Sequence, residues 1–153
     1  MVLRVVQWAT GGVGVAAIKG VLEHPELELA GCWVHSEAKT GRDVGDIIGT
    51  APLGVIATNS LDDILALDAD AVIYAPLLPN LDEVTALLRS GKNVISPIGW
   101  FYPGASEAAP LEAAAREGGV TLHGAGIGPG AATELFPLLL SVMSTGGTFV
   151  RAE

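Results

Sequence analysis

The sequence predicts an α/β fold built on a doubly wound, mostly parallel sheet. Short apolar runs of strand length alternate with stretches of helical periodicity along most of the 153 residues. A glycine-rich turn joins the first run to the first helical stretch, and no internal repeat, low-complexity tract or flexible linker interrupts the alternation.

Leu3 to Trp8 is a short apolar run of the kind buried on both faces of a sheet. After the glycines, Val15, Ile18 and Leu22 fall on one helical face, and Pro25 ends the helix after Glu23 and His24. Leu27 to Val34 is a second strand, completing a unit of the size expected for a parallel βαβ crossover. A short helix follows over Asp43 to Ile48 and a weak strand over Gly54 to Thr58. Ser60, with Asp63 three residues on, caps a short helix carrying Leu61, Ile64 and Leu65.

Ala69 to Ala75 is the next buried strand, followed by Pro76 and Pro79. Asn80 and Glu83 have capping-box spacing ahead of a helix with Leu81, Val84, Leu87 and Leu88 on one side and Gly91 past its end. Asn93 to Ser96 is a strand, Ser106 to Glu117 an alanine-rich helix that tolerates Pro110 only near its first turn, and Val120 to His123 a further strand. The last helix is expected over Ala131 to Met143 with a kink at Pro137. Thr148 to Glu153 begins an alternating strand, so residues 1–147 are expected to form one nucleotide-binding domain and residues 148–153 to open a C-terminal substrate or oligomerisation domain.

Composition narrows the function. Half of the residues are apolar, only 16% are charged and mean hydropathy is +0.48, which leaves apolar surface for a partner or a further domain. A net charge of −9 argues against nucleic acid and anionic membranes, both of which attract basic patches. The single cysteine, Cys32, excludes an internal disulfide and a cysteine metal cluster and reads as a buried small hydrophobe. His24, His35 and His123 lack metal-ligand spacing. The segment LFPLLLSVM (135–143) is too short for a membrane span, and MVLRVVQW lacks the features of a secretory signal, so a cytoplasmic protein is expected.

The turn in VVQWATGGVGVAAI (5–18) carries the chemistry. It fits a dinucleotide pattern in two registers, Gly12-x-Gly14-x-x-Ala17 and Gly11-x-x-Gly14-x-x-Ala17. Glycines allow the tight turn, phosphate oxygens approach a bare backbone, and the free N–H groups at the positive end of the helix face them. Gly11, Gly12, Val13, Gly14 and Val15 are therefore the expected pyrophosphate cradle of a Rossmann-type sheet, and a bulky residue at Gly14 is expected to block the ligand while sparing the fold. At the end of the second strand, where an NAD site usually carries an acid for the ribose diol, the chain has Val34, His35 and Ser36, then Lys39 and Arg42. A hydroxyl and two cations suit a 2′-phosphate, so NADP is expected ahead of NAD, although both cations also fit a solvated loop. Ala75, Pro76 and Leu77, after the fourth strand, lie where the nicotinamide half should pass.

VVQWATGGVGVAAI, TGRDVGDIIG (40–49) and GAGIGPGAATELFP (124–137), in that order, resemble the N-terminal domain of the dihydrodipicolinate reductase-like proteins, closest to the branch with 2,4-diaminopentanoate dehydrogenase and native amine dehydrogenases. The resemblance implies a nucleotide-binding domain that transfers hydride between NAD(P)H and a C=N bond, completed by a C-terminal domain supplying substrate and oligomer contacts. It also implies a glutamate in the loop after the fifth strand to hold ammonia or an iminium. Here that loop runs from Ser96 to Pro103 without an acid. The nearest polar candidates for catalysis are Tyr102, His123 and Glu134, each with an ordinary structural reading beside it. The expected partners are a dinucleotide, a small-molecule substrate, and either a second copy of the chain or the missing domain. The isolated chain is expected to turn over poorly. The alternative is a non-catalytic NAD(P)-sensing or interaction module that keeps the fold.

Overall fold

A computed structural model describes residues 1–143 and residue 145. Six strands form one all-parallel sheet: β1 (Leu3–Trp8), β2 (Leu27–Trp33), β3 (Ala57–Thr58), β4 (Ala71–Tyr74), β5 (Asn93–Ser96) and β6 (Leu122–Gly124). Their spatial order is β3-β2-β1-β4-β5-β6. The order reverses between β1 and β4, and the crevice above the carboxyl ends of those strands is where open α/β sheets hold ligands.

Alternation along β1 serves two cores. Val5 faces one side, with Leu29 and Cys32 of β2, and packs against Ile18 and Val21 of α1 (Gly12–Glu23) and Val44 and Ile48 of α2 (Val44–Ile48). Val6 and Trp8 face the other side, with Val72 and Tyr74 of β4. They meet Ile64 of α3 (Leu61–Ala66), Val84, Leu87 and Leu88 of α4 (Leu81–Arg89), and Leu111 and Ala114 of α5 (Ala105–Gly118). Both faces of the sheet are thus covered, as apolar strands without polar alternation require.

Three expectations shift. The buried stripe of α1 is Gly14, Ile18 and Val21, while Leu22 is 44% exposed, because the helix meets the sheet through its glycine and turns Leu22 to the edge. Pro110 lies in the second turn of α5 and not in the first, because the helix starts at Ala105 on the Gly104 cap. The last helix is two segments: π-type winding over Ile127–Leu135, then α6 (Phe136–Ser141) with Pro137 in its first turn. The expected strand from Thr148, and with it the boundary after residue 147, lies outside the described residues. No helix of the described residues is long and apolar enough to cross a membrane.

Candidate functional site

The turn after β1 assigns different jobs to its small residues. Ala9 has φ +70°, a left-handed conformation that costs an L-residue ~1–2 kcal/mol. Its N–H donates to Trp33 O at 2.8 Å, tying the turn to β2. Gly11 is the N-cap of α1 in an extended conformation, and no side chain caps the helix, so the first-turn amides have no side-chain acceptor. A Cβ on Gly11 or Gly12 would meet nothing within 4 Å. A Cβ on Gly14 would lie 2.1 Å from Ala9 O and 3.1 Å from Gln7 Nε2. The working pattern is therefore Ala9-x-Gly11-x-x-Gly14: tight turn, open approach, close helix-to-strand packing. Both registers taken from the sequence begin too late, because an alanine holds the place of the first glycine. Gly14 is demanded by the fold itself.

A cleft of about 920 Å³ opens over this turn. One wall is the turn itself, including Thr10, Gly11, Gly12 and Val13; Gly14 and Val15 lie outside the lining. The second wall is the end of β2 with Trp33, His35, Ser36 and Lys39. Lys39 ends a short 3₁₀ turn (Glu37–Lys39), and its Nζ donates to Thr10 Oγ1 at 2.9 Å and to Thr10 O at 3.3 Å, spanning the cleft edge. Among the described residues it is the one lysine or arginine of the lining. Arg42 is exposed and away from the cleft, its backbone bonded to Lys39 O and Ala57 N.

The third wall is the segment after β4: Ala75, Pro76, Leu77, Leu78, Pro79, Asn80 and Leu81, with Glu83 of α4. Leu77 and Leu78 are 90% and 75% exposed and give this wall an apolar lip. Asn80 Oδ1 accepts from Asp82 N and Glu83 N, as the capping-box spacing predicts. The return limb differs. Glu83 does not reach Asn80 N; instead the buried Tyr74 hydroxyl accepts from Asn80 N at 3.1 Å and donates to Glu83 Oε2 at 2.5 Å. Burial, and then the hydrogen bond to Glu83 and its charge, push the Tyr74 hydroxyl well above its usual range. The floor is aromatic: Trp8 and Trp33 stack with centroids 4.3 Å apart at 8°, and Tyr74 lies 5.6 Å from Trp8.

Tyr102, His123 and Glu134 all lie outside the lining. Tyr102 is 83% exposed in the loop after β5. His123 sits on edge strand β6 beside Ile95. Glu134 accepts from Gly130 N and Thr133 Oγ1 and so braces the π-wound segment. The residues missed by sequence reasoning include Trp8, Ala9, Thr10, Trp33, Leu81 and Glu83 of the lining, and Gln7 beneath the turn. Only Gln7 carried a signal, an amide among apolar residues near the end of a buried strand. Among the described residues no group of three or more His, Cys, Asp or Glu side chains could hold a metal ion. Open amides at a helix start, one cation and long apolar walls suit an extended anionic ligand with a flat ring.

No protein-family model matches the chain. It is 37% identical over 165 residues to an amine dehydrogenase of Streptomyces virginiae, spanning 99% of this chain and 45% of that protein. It is 38% identical over 63 residues to 4-hydroxy-tetrahydrodipicolinate reductase of Synechocystis sp., 41% of this chain and 23% of that one. The chain thus spans less than half the length of these curated relatives. Among solved structures, the amine dehydrogenase of Mycobacterium smegmatis superposes with a TM-score of 0.78 at 21% identity over 91% of this chain and 44% of that one. GenD2 from gentamicin A biosynthesis, in complex with NAD, gives 0.62 at 26% identity over 81% and 34%.

Proposed function

The chain belongs to the dihydrodipicolinate reductase-like family, and on that premise we propose that it is the nucleotide-binding unit of a cytoplasmic NAD(P)H-dependent oxidoreductase acting on a C=N bond or a related carbonyl. The observation that carries the proposal is the cleft at the switch point, with bare Gly11 and Gly12 at an uncapped helix start and Lys39 beside them. The diphosphate of the dinucleotide would lie on the Gly11 and Gly12 backbone, the adenosine against the β2 loop with the 2′-phosphate of NADP on Lys39 and Ser36, and the nicotinamide half past Ala75, Pro76 and Leu77. His35 stands where an NAD-specific site carries an acid. The cofactor supplies the hydride; this chain binds it, orients it and shields it with apolar walls.

A second reading, a non-catalytic NAD(P)-sensing module, has one observation in its favour: Tyr102, His123 and Glu134 all stand outside the lining and the loop after β5 has no acid. In the oxidoreductase reading the substrate groups come from a further domain or a second copy of the chain, and the isolated chain turns over poorly.

Calorimetric titration with NADPH and NADH tests the nucleotide assignment. NADPH is expected to bind more tightly, and Lys39→Met to weaken NADPH roughly tenfold while changing NADH less than about twofold, the difference of one charge-assisted contact. Equal loss for both nucleotides would remove the 2′-phosphate assignment, and no binding of either to the wild type would remove the cofactor reading. Turnover of amines or imines by a complete protein containing this chain separates the enzyme from the sensor.

A further inference from the structure

Gln7 is a polar side chain with 1% exposure, one residue from the end of a buried strand. Burying an amide is unfavourable unless its hydrogens are used, and both are: Nε2 donates to Trp8 O at 2.9 Å and to Ala9 O at 3.0 Å. Its Oε1 is buried with no partner among the described residues. A residue chosen for packing alone would be apolar here, so the amide is retained for its donor end.

The two carbonyls belong to the peptide units on either side of Ala9, and holding both fixes the φ and ψ of that residue in its left-handed conformation. The first unit has other ties, since Trp8 O also accepts from Ala75 N and Ala9 N donates to Trp33 O. The second unit, Ala9 to Thr10, has only Gln7 on its carbonyl among the described residues. In a trans peptide the N–H points opposite to the C=O. With Ala9 O drawn inward toward Gln7 and Gly14, the Thr10 N–H is turned outward, on a residue that lines the cleft.

We infer that Gln7 is a positioning residue for oxyanion binding: it locks the Ala9–Thr10 peptide in the orientation that aims the Thr10 N–H at the diphosphate of the bound dinucleotide. The inference rests on the nucleotide reading above for its ligand, and on the turn geometry alone for the lock. Without the amide, the Ala9 carbonyl loses the hydrogen bond that holds it inward, and any rotation of this peptide offers a carbonyl where the anion needs a donor.

Gln7→Met keeps the length of the side chain and removes the donor. With its thermal unfolding recorded to establish that it is folded, Gln7→Met should bind NADPH roughly tenfold more weakly, the loss of one hydrogen bond to a charged group. Adenosine 2′-monophosphate, which has no diphosphate, should bind within about twofold of wild type. Unchanged NADPH affinity, or equal loss for both ligands, overturns the inference, the latter because it marks a general packing defect. Gln7→Glu gives an independent readout. Its carboxyl donates only when protonated, and burial raises its pKa, so NADPH affinity of this variant should recover as pH falls, beyond any trend in wild type. A profile parallel to wild type overturns the lock. The backbone is also read without ligand: the Ala9 Cα chemical shift should leave its left-handed value in Gln7→Met. A wild type that binds no dinucleotide would refute the nucleotide reading, while an unmoved Ala9 shift would refute the lock.

Discussion

One backbone oxygen decides what Gly14 can become. A methyl there would sit 2.1 Å from Ala9 O, and the contact is backbone against backbone, so no side chain can rotate away. Relief requires α1 to shift from β1, which also disturbs Ile18 and Val21 in the core beneath. Gly14→Ala should therefore destabilise the chain by ~1–3 kcal/mol, the range for overpacking, as measured by urea unfolding. Gly12→Ala differs in kind. Its methyl meets nothing within 4 Å and the residue begins a helix, so stability should hold or rise by ~0.5 kcal/mol. Its cost falls on the ligand, because the methyl occupies the open approach. A Gly14→Ala protein as stable as wild type would show that the turn has slack that its geometry does not. The glycines were legible as a turn, but their roles were not: the register depends on Ala9 taking a positive φ, which an alanine in a sequence does not announce.

At the scale of the element, the start of α4 shows how a local signal becomes a site. Asn80 capping was legible because a cap involves neighbours two and three residues apart. The Tyr74 relay was not, because it needs β4 and α4 already packed, with a buried hydroxyl between Asn80 N and Glu83. The same limit hid the bond from Lys39 to Thr10, which spans 29 residues, and made Arg42 look equivalent to Lys39. Tyr74→Phe removes both hydrogen bonds at once. It should lower stability near neutral pH by ~1–3 kcal/mol, the cost of leaving buried partners unpaired. The variant also carries a pH signature. The folded Tyr74 hydroxyl titrates above its ordinary value of 10.0, so the unfolded chain ionises first, and this contribution is intact below about pH 10 and is lost as pH rises toward the folded value. Cys32 acts with the same sign, burial having pushed its thiol from 9.0 up to about 12. Unfolding midpoints of wild type should therefore fall from about pH 9 upward, and those of Tyr74→Phe should fall less steeply while keeping the Cys32 share. Parallel alkaline slopes in the two proteins would mean that the hydroxyl is not held as the geometry states.

Across the whole molecule, the alternation of apolar runs and helical stretches specified the sheet, because buried parallel strands and their covering helices leave strong periodic signals. The chain was least legible where periodicity lacked a covering layer. Over Ile127–Leu135 the winding widens, and Ile127, Leu135, Phe136, Leu138, Leu139, Leu140, Val142 and Met143 are each more than half exposed. A pattern that looks like a core-facing helix is thus an exposed apolar surface in the segment after β6. Soluble monomers rarely leave such a patch open, because water gains from its removal roughly in proportion to area. Relatives more than twice as long have further chain with which to cover it. The purified chain by itself should therefore self-associate, with a weight-average mass in sedimentation equilibrium that rises with concentration. Leu139→Lys combined with Leu140→Lys should shift that association to roughly a hundredfold higher concentration or beyond, since each substitution removes a buried leucine of ~1.5–3 kcal/mol from the contact. Both residues are exposed and outside the cleft lining, so NADPH affinity should not change. A chain that stays monomeric at high concentration would mean that this face is tolerated by water, and a loss of nucleotide binding in the double variant would mean that α6 is coupled to the cleft.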